Sequence, residues 1–134
     1  MNDFADRIRT IIHACKLTTR RWQIVDLPDA IVDVAHDAGF VRLELLNQSW
    51  LMISSRDGER IIFDFVNARN TLRTLCARFA GWASESGKRQ LNPYGDHGQF
   101  VLARPGGGQY HILLDFMNTP SSQWIRIESR LLPM

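Results

Sequence analysis

Residues 41–66, VRLELLNQSWLMISSRDGERIIFDFV, decide how this chain folds. Val41, Leu43 and Leu45 alternate with Arg42 and Glu44, the two-residue period of a strand with one face buried and one displayed. Asn47-Gln48 suggests a turn and Ser49 to Ser54 is a second apolar run. Arg60 to Val66 alternates again, with Ile61, Phe63 and Phe65 set against Arg60 and Asp64. Between the last two runs stands Arg56-Asp57-Gly58-Glu59, and Asp-Gly in that place is a strong hairpin signal. The stretch predicts three antiparallel strands joined by short turns.

Helical patterns flank it. Leu27, Ile31, Val34 and Ala38 fall on one helical face, Asp26-Leu27-Pro28-Asp29 supplies a cap, an early proline and first-turn acid, and Gly39 is the stop. Further upstream, residues 3–16 carry Phe4, Ile8, Ile11, Ile12 and Cys15 on one stripe, followed by a polar link from Leu17 to Arg21. Downstream, Leu72, Leu75, Cys76, Phe79 and Trp82 recur at helical spacing from Asn70 to about Glu85, and Gly87 follows. A polar loop, Lys88 to Gly98, then leads to strands at Gln99 to Arg104, Tyr110 to Met117 and Trp124 to Arg130. Pro105-Gly106-Gly107-Gly108 and the segment Asn118 to Ser122 separate them. One helix followed by three strands thus occurs twice, without residue-level identity between the copies. The expected fold is α+β: a two-layer sandwich with a mainly antiparallel sheet of about six strands, helices packed on one face, in the order α-α-βββ-α-βββ. Residues 1–134 read as a single domain.

Composition bounds the chemistry. With 134 residues, 45% of them hydrophobic, the chain buries a core without needing disulfides or metals. Cys15 and Cys76 each sit on an apolar helix stripe and lack the close spacing of zinc or redox sites, so reduced core thiols and a cytoplasmic setting are expected. The amino terminus lacks a signal-peptide pattern, and no apolar run approaches the roughly 18 residues of a membrane span. The formal charge is only +2, yet 14 of the 16 basic residues are Arg, whose planar fork suits carboxylates and phosphates. A GC-rich genome produces the same bias. Arg7, Arg9, Lys16, Arg20 and Arg21 stand close to the acidic run Asp26, Asp29, Asp33 and Asp37, and the two clusters balance each other. Glycine-rich phosphate loops, a Gly-x-Ser-x-Gly elbow and His-Glu-x-x-His are all missing, so no cofactor and no metal is expected.

Alternation also sorts the strands into faces. With the apolar positions under the helices, Arg42, Glu44, Arg60, Asp64, His111, Asp115, Trp124, Arg126, Glu128 and Arg130 are displayed, and Trp50 and Met52 join them. Tryptophan beside arginine is the composition of interface hot spots. The loop Asn92-Pro93-Tyr94-Gly95-Asp96-His97-Gly98 is the densest polar stretch. Its residues are turn chemistry, and they are also the candidates for a second patch of a binding surface. The partner-binding candidates are therefore Tyr94, Asp96, His97, Trp124, Arg126, Arg42 and Asp64. An alternative is metal-independent nuclease chemistry or nucleic-acid binding. There His97 would be acid or base, Asp96 or Asp115 would orient it, and His111 would be the second histidine near Arg126. The helix-then-strands order is similar in layout to small secretion chaperones and several immunity proteins, a likeness of architecture only. The chain reads as a non-catalytic module that binds another protein, of the bacterial immunity or antitoxin-type inhibitor or adaptor kind.

Overall fold

The computed structural model describes residues 4–10, 26–47, 50–64, 68–87, 89–103 and 108–131. Residues 4–10 are helical (α1). They are followed by α2 (Asp26–Ala38), β1 (Phe40–Leu45), β2 (Trp50–Ser55), β3 (Arg60–Asp64), α3 (Ala68–Gly87), β4 (Gly95–Ala103), β5 (Gln109–Thr119) and β6 (Ser122–Leu131). The six strands form one antiparallel sheet in the order β3-β2-β1-β6-β5-β4. The fold class is α+β, as the alternation implies. Cys15, His13, Trp22, Phe65 and the glycines at 106 and 107 lie outside the described residues.

Two local meanders, β1-β2-β3 and β4-β5-β6, account for most of the pairing, because each needs only a short turn. In the first, Ser55 N–H donates to Glu59 O at 2.9 Å across the Asp57-Gly58 turn, as the hairpin signal predicts. In the second, the break expected over residues 118–122 shrinks to Pro120-Ser121. Thr119 and Ser122 still pair, and the Thr119 hydroxyl accepts from Ser122 N–H at 3.1 Å. A hydroxyl that satisfies the turn lets both strands run longer than their apolar patterns.

One chain-length match explains how the meanders meet. The chain leaves β3 at one sheet edge and re-enters as β4 at the other, five strand spacings away, or about 24 Å. The 20 residues of α3 span about 30 Å. That helix lies over β1, β6, β5 and β4, while α2 covers β1 and β6. A two-fold axis through the sheet would set β1 beside β4; the observed order sets it beside β6, so the repeated pattern is not symmetric in space.

The core is continuous between helices and sheet. Ile31, Val32, Val34 and Ala35 of α2 and Leu72, Leu75, Cys76 and Phe79 of α3 are buried with Val41, Leu43, Leu51, Ile53, Ile112, Leu114, Phe116, Ile125 and Ile127. Phe79 meets Trp82 edge-on, ring centres 5.4 Å apart, and Phe100 of β4 packs against both rings. Burial pushes the Cys76 thiol up to about 12, as expected of a core residue rather than a reactive one.

Gly98 sets how closely α3 approaches β4. A Cβ there would stand 2.9 Å from the Ala83 Cβ and 3.1 Å from Leu91 Cδ2. Gly98→Ala is therefore expected to destabilise the protein by about 1–3 kcal/mol. Ala83→Gly costs about 1 kcal/mol of helix propensity by itself. In urea denaturation the double variant should be more stable than the sum of the two single losses; simple additivity would mean that the two positions do not meet.

Candidate partner-binding face

The strand register lays the displayed residues out in rows. One row crosses the sheet as Ile62, Met52, Glu44, Trp124 and Met117, one residue from each of five strands. The next runs Arg60, Ser54, Arg42, Arg126, Asp115 and His97. A third holds Phe40, Glu128, Leu113 and Gln99. Trp50 stands opposite Asp64 beyond the first row. Trp50 is 41% exposed and Ile62 49%, while Met52 and Trp124 are half-buried among their neighbours. The face thus carries a mostly apolar row, crossed by Glu44, beside a row that holds three arginines.

Electrostatics shape the centre of this face. Arg42 and Arg126 are directly opposite each other, a like-charge pair that a sheet normally avoids. Their guanidinium groups part. Arg42 turns to Glu44, with Nη2 2.6 Å from Oε1, and lies over the Trp124 ring at 4.3 Å. Arg126 turns the other way, lies over the Phe40 ring at 4.3 Å and donates to Glu128 Oε1 at 3.2 Å. Each cation thereby gains a carboxylate and an aromatic face. Glu128, placed by alternation on the displayed side, is nevertheless 7% exposed at its side chain because Arg56, Arg126 and Arg130 close around it. Neither Phe40 nor Arg56 stands out as a site residue in the sequence. The signal that could have found them is the hairpin register: Val41 pairs with Ser55, which brings the turn residue Arg56 back beside Phe40.

The polar stretch before β4 corrects the sequence reading. Strand β4 begins at Gly95, not at Gln99, so His97 and Gly98 belong to the sheet rather than to a loop. Asp96 is committed to the turn. It accepts from Arg89 Nη1 at 3.1 Å, from Asn92 N–H at 2.8 Å and from His97 N–H at 2.8 Å, and Tyr94 N–H donates to the Asn92 side chain at 2.9 Å. The Arg89 guanidinium, followed by these two backbone N–H groups, holds the Asp96 carboxyl well below the usual carboxylate range. Tyr94, 67% exposed, marks the far end of the sheet.

The two histidines do not converge. His97 pairs with Asp115 and His111 with Val101, four residues apart along β5, which is about 13 Å. The His97 ring is 85% exposed, and its Nδ1 lies 3.8 Å from Asp96 Oδ1, beyond hydrogen-bond reach. His111 Nε2 is bonded to Gln99 Oε1 at 2.7 Å. Among the described residues, no group of three or more His, Cys, Asp or Glu is placed to hold a metal ion. The structure thus brings Arg42, Arg126 and Trp124 together, sets Asp115 and His97 at the end of the same row, places Asp64 by register beside Trp50, and leaves Tyr94 and Asp96 at the edge.

These features define an α+β protein in which, among the described residues, helices lie over one face of the sheet. Comparisons with protein-family models, with curated proteins and with solved structures found no match. Among the described residues, no helix is long and apolar enough to cross a membrane.

Asp96 yields a prediction with a definite sign. A depressed carboxyl contributes stability that is fully present above the ordinary carboxylate pKa of about 4 and is lost as pH falls toward the folded-state value. Asp96→Asn should lower the melting temperature at neutral pH, and the gap to the parent protein should narrow as pH is taken below about 4. A gap that stays constant with pH would show that the charge of Asp96 is not what ties the turn.

Proposed function

We propose that this protein is a non-catalytic protein-binding module, an inhibitor or adaptor, that receives its partner on the open face of the sheet. The observation that carries this reading is the row Ile62, Met52, Glu44, Trp124 and Met117, in which four apolar residues from four strands flank the Glu44 carboxylate on the side opposite the helices. Isolated apolar residues on a surface need no explanation, but apolar residues gathered in one row around a charged group and bordered by arginines have the mixed composition of an interface. Trp124 sits near its centre with Arg42 stacked on it, and Trp and Arg are the residues that most often dominate binding energy. The helix-then-strands order, similar to that of small immunity proteins and secretion chaperones, suits a cytosolic, bacterial inhibitor or adaptor by analogy of layout alone. The contribution of the segment 92–98 is secondary, since Asn92 and Asp96 are occupied in holding their own turn.

Differential capture tests the proposal. The parent protein, Trp124→Ala and Ile62→Asp, each checked for native circular dichroism, are used as baits against lysate of the source cell. A protein captured by the parent is then purified and its affinity measured. Each substitution is expected to weaken binding by about tenfold or more, the magnitude of a hot-spot loss. Equal capture and equal affinity for all three baits would remove the open face as the binding surface.

A further inference from the structure

The arginines of the open face are not evenly spread. Arg56 from the β2–β3 turn and Arg126 and Arg130 from β6 all converge on the single carboxylate of Glu128. Arg126 and Arg56 approach its Oε1 at 3.2 and 3.6 Å, and Arg130 pairs with Oε2. Phe40 lies between two of them, its ring 4.3 Å from the Arg126 guanidinium and 5.8 Å from that of Arg56. Gly39, at φ 90°, makes room for this: a Cβ there would stand 2.8 Å from Arg56 Nε. The backbone after α2, the first residue of β1 and the hairpin turn all serve to place one guanidinium.

Three cations on one carboxylate leave a local surplus of two positive charges. Glu128 balances one of these three charges, and each further cation adds mutual repulsion that a second anion would relieve. Each guanidinium carries five N–H donors, about fifteen in all, whereas a carboxylate accepts about four. Glu128 is nearly buried while the arginine side chains are partly exposed, so the carboxylate lies beneath guanidinium groups that solvent reaches.

We propose that the Arg56–Arg126–Arg130 array is an anion-receiving site, and that its ligand is the carboxylate of an acidic, amphipathic segment of a protein partner. This rests on the reading of the open face as a partner surface. Two observations favour a peptide over a nucleic acid. Glu44, Asp115 and Glu128 share the face and would repel a continuous phosphate backbone. The stripe through Trp124 is apolar and lies four residues along β6 from Glu128, about 13 Å away. A segment that sets an apolar side chain about that far from a carboxylate engages both: four residues apart if extended, or about nine if helical.

The test titrates isotope-labelled protein with a short peptide that carries one Glu and one Leu four residues apart among Ser and Thr, and separately with a short oligothymidylate, following the arginine side-chain N–H signals by NMR. The peptide is expected to move the signals of Arg56, Arg126 and Arg130 and to leave those of Arg73 and Arg78 on α3 in place. Arg130→Gln, at an exposed side chain, should weaken peptide binding about tenfold. Glu128→Gln raises the net charge by one, yet should also weaken binding, because the three guanidinium groups lose the anchor that gathers them. Tighter binding by Glu128→Gln, shifts spread over all arginines, or preference for the oligothymidylate would each overturn the proposal. With the captured partner, loss of affinity on Trp124→Ala but not on Arg130→Gln would remove the anion site and leave the partner surface standing, whereas indifference to both would remove the two together.

Discussion

The antiparallel pairing of β1 with β6 is the seam on which the rest of the molecule depends. It joins two meanders that are each local in sequence, and it does so between the first and the last strand of the sheet in chain order. On one side of the seam Val41 meets Ile127 and Leu43 meets Ile125, the centre of the core. On the other, Phe40 meets Glu128, Arg42 meets Arg126 and Glu44 meets Trp124, the centre of the candidate face. Core and face cannot be varied independently, since a slip of one residue exchanges every side chain between them. Apolar burial beneath α2 and α3 therefore holds the register that lays out the charged surface above.

That surface is arranged at some electrostatic cost. Facing arginines repel, and exposed ion pairs contribute little to stability, roughly 0–1 kcal/mol each. What makes the arrangement tolerable is division. Arg42 is drawn to Glu44 and Trp124, Arg126 to Glu128 and Phe40, so the two cations point apart over one antiparallel pair. Glu128 carries the greater burden, because it neutralises charges arriving from β6 and from the hairpin turn.

Much of the fold was legible in local pattern. The three strands of residues 41–66, the Asp-Gly hairpin, α2 with Gly39 at its end and the long apolar stripe of α3 all follow from periods of 2.0 and 3.6 and from turn chemistry. Strand ends were less legible. Gly95 to Gly98 looks like a loop because it is rich in Gly, Asp and His, yet it is strand: Asp96 closes the preceding turn, and Gly98 leaves room for the close approach of Ala83 on α3. The candidate site was legible in part. Alternation put Arg42, Trp124 and Arg126 on one face, but which cation takes which carboxylate depends on cross-strand neighbours that no local window contains.

By itself, the sequence determined which residues are apolar at which period, and hence which elements form and which side of each strand turns to the core. Only the tertiary structure decided the strand order, because the path from β3 to β4 depends on the length of α3 relative to the width of the sheet. It alone also made Glu128 a buried carboxylate beneath Arg56, Arg126 and Arg130. The reason is physical: periodicity is encoded by neighbours in the chain, whereas the meeting of Phe40, Arg56 and Glu128 arises from strands that find each other only when the core closes.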